Sequence, residues 1–124
     1  MLDLLIERTA NTPKIDFNCN EGRLKIEGRS IPENPADFFK PLLAWIMEYY
    51  QNPKKKTDII IKLEYINSGS SKSLLELLRY IRDESQKGHE CVINWHFEED
   101  DESVQELGEH YQHTLKIPFV FHSY

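Results

Sequence analysis

The stretch "TDIIIKLEYINSGSSKSLLELLRYI" (residues 57–81) decides the fold. Its first half alternates: Ile59, Ile61, Leu63 and Tyr65 share one strand face, with Ile60 and Ile66 on the other, the pattern of a mostly buried central strand. Its second half changes period, because Leu74, Leu77, Leu78 and Ile81 recur as one helical stripe. A strand that hands over directly to a helix is the unit of an α/β protein. The handover itself, residues 68–73, holds four serines, one glycine and one lysine, and no proline.

The same alternation extends in both directions. Downstream, the helix is expected to end near Lys87-Gly88, a favourable C-terminal glycine. "ECVINWHFEED" (90–100) then reads as a strand. "ESVQELGEHYQHTL" (102–115) reads as a helix through Val104, Leu107, Tyr111 and Leu115, and "IPFVFHSY" (117–124) as a closing strand. Upstream, "SIPENPADFF" (30–39) carries helix-start chemistry, with Asn34 as N-cap and Pro35 at the first helical position. Phe38, Phe39, Leu42, Ile46 and Tyr49 continue that helix until Asn52-Pro53 stops it. "KIDFNCNEGRLKIEG" (14–28) reads as a hairpin turning at Asn20-Glu21-Gly22, and residues 2–8 as a short first strand. The expected fold class is therefore α/β: a single domain over residues 1–124, with a small mixed β-sheet and about three helices mainly on one side.

Composition narrows the function. Of 124 residues, 40% are hydrophobic and 29% charged, as in ordinary globular proteins, and the formal net charge is −6. That balance argues against nucleic acid or an anionic membrane as partner, since both require a basic surface. The only basic run, Lys54-Lys55-Lys56, follows Asn52-Pro53 and reads as a solvated loop. Cys19 and Cys91 fit neither a disulfide framework nor a zinc pattern, and both read as small core residues in a reducing compartment. "MLDLLIERT" is too short and too acidic for a signal peptide, and no apolar run approaches the roughly 18 residues of a membrane span. A cytoplasmic location is expected.

Sites in parallel α/β sheets gather beyond the carboxyl ends of the strands. Two such ends stand out: Asn67-Ser68-Gly69-Ser70-Ser71 and Glu98-Glu99-Asp100-Asp101-Glu102. The serines admit two readings. They can cap a helix, with Ser73 and Glu76 forming a capping box. Alternatively, one hydroxyl is a phosphate acceptor at a helix N-terminus, where unpaired N–H groups and the dipole favour an anion. The acids read either as a solvated loop or as Mg²⁺ ligands. Two minor readings follow: a receiver-like domain carrying an aspartyl phosphate with Mg²⁺, and a small metal-dependent hydrolase using Glu98 to Glu102 with His96. Against the first, the central strand ends in Asn67-Ser68 rather than Asp. His89 with Cys91, and His110 with His113, offer no second ligand pair at zinc spacing. There is no glycine-rich phosphate loop and no nucleophile elbow, so no cofactor and no catalytic residue is expected.

"GRSIPENP" (28–35), "LEYINSGSSKSLLELL" (63–78), "NWHFEEDDESVQELGEHY" (94–111) and "IPF" (117–119) together resemble the SiaC family of bacterial regulatory phosphoproteins. The resemblance implies a STAS-like fold, similar to anti-sigma-factor antagonists, and a non-enzymatic switch. It places the phosphate acceptor on Ser68, after Asn67, with Gly69, Ser70, Ser71 and Lys72 as the surround that partners meet. Gly69 is expected to loosen this loop and admit a partner's backbone. The implied partners are a Ser/Thr kinase of the histidine-kinase-like ATPase type, a PP2C-type phosphatase and a diguanylate cyclase, which the unphosphorylated form would bind in cyclic di-GMP and biofilm control. Arg29, Ser30 and Glu33 have two readings: a stiff strand-to-helix connection, or a docking surface.

Overall fold

In the computed structural model, which describes residues 1–124, the Ile59–Leu63 alternation belongs to the fourth of six strands. The elements run β1 (Leu4–Ile6), β2 (Lys14–Asn18), β3 (Arg23–Ser30), α1 (Pro35–Tyr49), β4 (Lys56–Ile66), α2 (Ser68–Ser85), β5 (Glu90–Phe97), α3 (Glu102–Leu115) and β6 (Phe119–Ser123). They form one mixed sheet whose spatial order is the chain order. β1, β2 and β3 pair antiparallel, while β3 to β6 pair parallel. Each helix carries the chain one strand further in the same direction, so right-handed crossovers lay all three over one face.

Burial follows that asymmetry. Ile15, Phe17, Leu24, Ile26, Ile59, Ile61, Leu63, Ile93 and Trp95 point under the helices and are almost fully buried. Leu42 and Ile46 of α1, Leu74 and Leu78 of α2, and Tyr111 and Leu115 of α3 meet them in one core. The side chains of opposite parity form an open face. Lys14, Glu27, Lys62, His96 and His122 make one row across it, in register from β2 to β6. Glu27 lies 3.7 Å from Lys25 and 3.9 Å from Lys62, so this face is kept wet by opposed charges.

Three expectations need correction. Tyr65 does not share a face with Ile59, Ile61 and Leu63: it is 51% exposed, and Ile66 packs on the core instead. The register explains this, since Gly28 pairs with Leu63 but Arg29 pairs with Tyr65, leaving Glu64 as an extra residue in β4. One inserted residue reverses the facing of everything after it. Second, α2 begins at Ser68 rather than near Leu74, so Ser73 and Glu76 lie within the helix and form no capping box. Third, Cys19 lies just past β2, half-buried, with its thiol 3.2 Å from Asp3 Oδ1 rather than in the core.

The packing of α3 depends on an absent side chain. The Trp95 indole N–H donates to the Val104 carbonyl oxygen at 2.9 Å, passing over Gly108 one turn later. A Cβ on Gly108 would stand 2.5 Å from Trp95 Nε1. In an open helix, Gly→Ala gains about 1 kcal/mol of propensity. Here overpacking, which costs about 1–3 kcal/mol, outweighs that gain. Gly108→Ala therefore lowers stability on balance, read as an earlier midpoint in urea unfolding.

On the open face, the rings of His96 and His122 stack with centroids 4.5 Å apart. Partial burial holds the His96 imidazole below its ordinary pKa, with His122, Lys62 and Lys25 adding to the effect and Glu27 opposing it. The unfolded chain thus takes up this proton first, so stability falls as pH drops below the ordinary histidine range of about 6.5. Unfolding midpoints measured between about pH 7.5 and 5.5 should decline, and His96→Gln should flatten that decline.

Candidate functional site

Three helices begin at one edge of the sheet, each capped by an Asx side chain. Asn34 accepts from the Asp37 N–H at 3.3 Å, Asn67 from the Ser70 N–H at 2.8 Å, and Asp101 from the Val104 N–H at 3.1 Å. These residues follow β3, β4 and β5 at or near their carboxyl ends, which brings Asn67-Ser68 and the acidic run to the same edge. Each such cap satisfies an otherwise unpaired helix donor and is worth about 1 kcal/mol.

The hydroxyls of the Ser68–Ser71 segment have different fates. Ser70 is completely buried, and its Oγ lies 2.9 Å from that of Ser30, which is also completely buried. Ser71 donates its hydroxyl to the Ser68 carbonyl at 2.8 Å, while its own carbonyl accepts the Tyr111 hydroxyl. Burial pushes the pKa of that tyrosine up to about 12. Ser68, the first residue of α2, is exposed, and its hydroxyl makes no hydrogen bond within the protein. It alone of the three is exposed with its hydroxyl free.

Two expected roles change accordingly. Ser30 offers no surface: its hydroxyl belongs to the Ser70 pair, and its carbonyl accepts the Asn67 N–H at 3.0 Å. The β3 end is thereby tied to the α2 start. Gly69 does not loosen a loop, because it lies inside α2, and a Cβ there would be 2.9 Å from Pro35 Cγ. Its missing side chain serves the approach of α1 to α2 within the chain. Arg29, Glu33 and Lys72 are exposed.

Ser68 sits on the rim of a groove of about 410 Å³ between the starts of α2 and α3. Glu64, Tyr65, Asp101 and Leu107 also line it. Sequence reasoning missed Glu64 and Tyr65, since only the β4 bulge turns them here, and it assigned Leu107 wholly to the core stripe. The Glu64 carboxylate accepts from both terminal guanidinium nitrogens of Arg8, at 3.1 and 2.7 Å. That hydrogen bonding, more than the charges of Arg8 and Arg29, holds its pKa below the usual range. The acids of the 98–102 run do not converge: Asp101 is spent on a cap, and no group of three or more His, Cys, Asp or Glu side chains is placed to hold a metal ion.

The profile of the SiaC family regulatory phosphoproteins matches residues 6–124. The chain belongs to the SiaC family. It is thus a regulatory protein and not itself an enzyme, which displaces the hydrolase reading. SiaC of Pseudomonas aeruginosa superposes with a TM-score of 0.92 at 27% identity, covering 100% of both chains. SiaC in the complex of the diguanylate cyclase SiaD with its activator SiaC, from the same species, gives 0.92 at 28% identity over 98% of this chain and 100% of that one. A further protein of Pseudomonas aeruginosa strain UCBPP-PA14 is 28% identical over 124 residues, covering 100% of this chain and 98% of its own. No helix of this SiaC-family chain is long and apolar enough to cross a membrane.

The buried Ser30–Ser70 pair gives a test of how the edge is held. Ser70→Ala strands the Ser30 hydroxyl and should cost about 1–3 kcal/mol. The double replacement by alanine removes both polar groups and should cost less than the two single changes together, as a double-mutant cycle in urea would measure.

Proposed function

We propose that this chain is a phosphorylation-controlled binding module with Ser68 as the acceptor. Its unphosphorylated form docks a protein effector over the groove beside Ser68. The effector class is a diguanylate cyclase, supported by the likeness to the SiaC that activates SiaD. A Ser/Thr kinase of the histidine-kinase-like ATPase type writes the mark, and a PP2C-type phosphatase removes it. The observation that carries this reading is the distribution of hydroxyls: Ser70 and Ser71 are engaged internally, while Ser68 is exposed and free.

The physics of such a switch is local. A neutral hydroxyl at the groove rim can be covered by a partner at little cost. A phosphate adds about −1.5 to −2 charges beside Glu64 and Asp101, and a covering partner must then desolvate it. Like-charge juxtaposition at an interface costs several kcal/mol, and each 1.4 or so is about tenfold in affinity. Binding can therefore be turned off without a change of fold.

Phosphosite mapping of the protein purified from its own cells should find one phosphate, on Ser68. Ser68→Ala should abolish kinase labelling while keeping effector binding, and phosphoserine at 68 should weaken that binding by about a hundredfold or more. Labelling that persists in Ser68→Ala would remove Ser68 as the acceptor.

A further inference from the structure

Arg29 stands out among the charged groups near Ser68. Arg8 is committed to Glu64, Arg23 to Asp16 and Glu21, and Arg82 to Asp83, whereas Arg29 and Arg79 have no carboxylate partner, and Arg79 lies about three turns along α2 from Ser68. The Arg29 guanidinium instead lies over the ring of Tyr65, 5.7 Å from the centroid. Tyr65 lines the same groove as Ser68. In the parallel β3–β4 ladder Arg29 is the partner of Tyr65, three residues before Ser68, and Tyr65 is the link between the two positions.

We propose that Arg29 is the intramolecular receptor for a phosphate on Ser68: it leaves the Tyr65 ring and pairs with the phosphate through its planar fork. This inference rests on the assignment of Ser68 as acceptor and adds to it the group that holds the mark. A guanidinium with a carboxylate already bound would have to break one ion pair to make another. Arg29 gives up only an exposed cation–π contact, which a bidentate, charge-assisted pair with phosphate outweighs. The other charges facing the position are Glu64 on β4 and Asp101 before α3, both repulsive, and Lys72 one turn further along α2. Lys72 is a point charge on a flexible stem with no planar fork. In the phosphorylated state Tyr65 loses its cover and the groove mouth is bridged by an ion pair, so the surface an effector meets differs in both charge and shape.

The test uses full-length protein carrying phosphoserine at 68 installed by genetic encoding, so it does not depend on whether a cellular kinase uses that site. Phosphorus NMR titration reads the second ionisation of the phosphate. Arg29→Gln should raise that pKa by about one unit, and salt should shrink the difference. Lys72→Gln should change it much less. In parallel, the ring-current shift that Tyr65 imposes on the Arg29 side chain should be lost on phosphorylation. Equal titrations with and without Arg29, a larger effect of Lys72, or a ring-current shift that phosphorylation leaves untouched would each overturn the proposal. Arg29 is exposed, so its replacement leaves the core intact. Failure to find Ser68 phosphate in cells would sink the acceptor assignment separately, leaving the titration result readable.

Discussion

Between Gly28 and Arg29, β3 takes one step along its ladder with β4, while β4 takes two, inserting Glu64. The edge that carries the site is arranged by this mismatch. Without it, Tyr65 would face the helices and Ile66 the open side. With it, Ile66 enters the core, and Glu64 and Tyr65 both turn toward solvent. Bulges concentrate where a sheet must redirect a side chain, and the cost is local loss of ladder pairing. Gly28, with φ +129, takes the strain on the facing strand, and the Arg8 side chain lies across it on the way to Glu64.

Past the bulge, buried polar contacts replace hydrophobic ones as the means of fixing position. The Ser30–Ser70 hydroxyl pair, the Asn67 cap and the Tyr111 bond to the Ser71 carbonyl fasten α2 to β3, to its own first turn and to α3. A buried polar group left without its partner is costly, so such contacts specify one arrangement more sharply than apolar packing does. The exposed hydroxyl of Ser68 is thus presented from a stiff platform. A modification there acts on what approaches the site rather than on the scaffold beneath it.

Much of this was legible in the sequence. Period alone located three helices and the strands between them, because alternation and the 3.6-residue stripe are consequences of which face is covered. Asn34 with Pro35 marked the start of α1, where capping chemistry and the hydrophobic stripe begin together. The start of α2 was misread because its first turn is serine-rich and carries no apolar stripe, so the stripe points to Leu74 while the cap lies at Asn67. The bulge was not legible: Leu63, Glu64 and Tyr65 alternate in isolation, Ile66 reads as a second buried face, and the inserted residue exists only relative to β3. The burial of Ser30 and Ser70 was hidden for the same reason, since their partnership joins residues 40 positions apart. The Asn67-Ser68 pair is singled out by resemblance; the residues alone narrow the choice only to a cluster of hydroxyls at a strand end.

The strand order has a consequence for how the molecule is made. Every strand pairs only with its neighbours in the chain, so the sheet can grow by accretion, each new strand docking on one already in place. Such local order favours assembly during synthesis, where the N-terminal part emerges first. The β4–α2 junction comes together in that sequence before β5 and α3 arrive. Ser68 therefore exists at a helix start well before the wall contributed by Asp101 and Leu107 closes the groove beside it. A nascent chain would display the exposed Ser68 hydroxyl before it displays the groove.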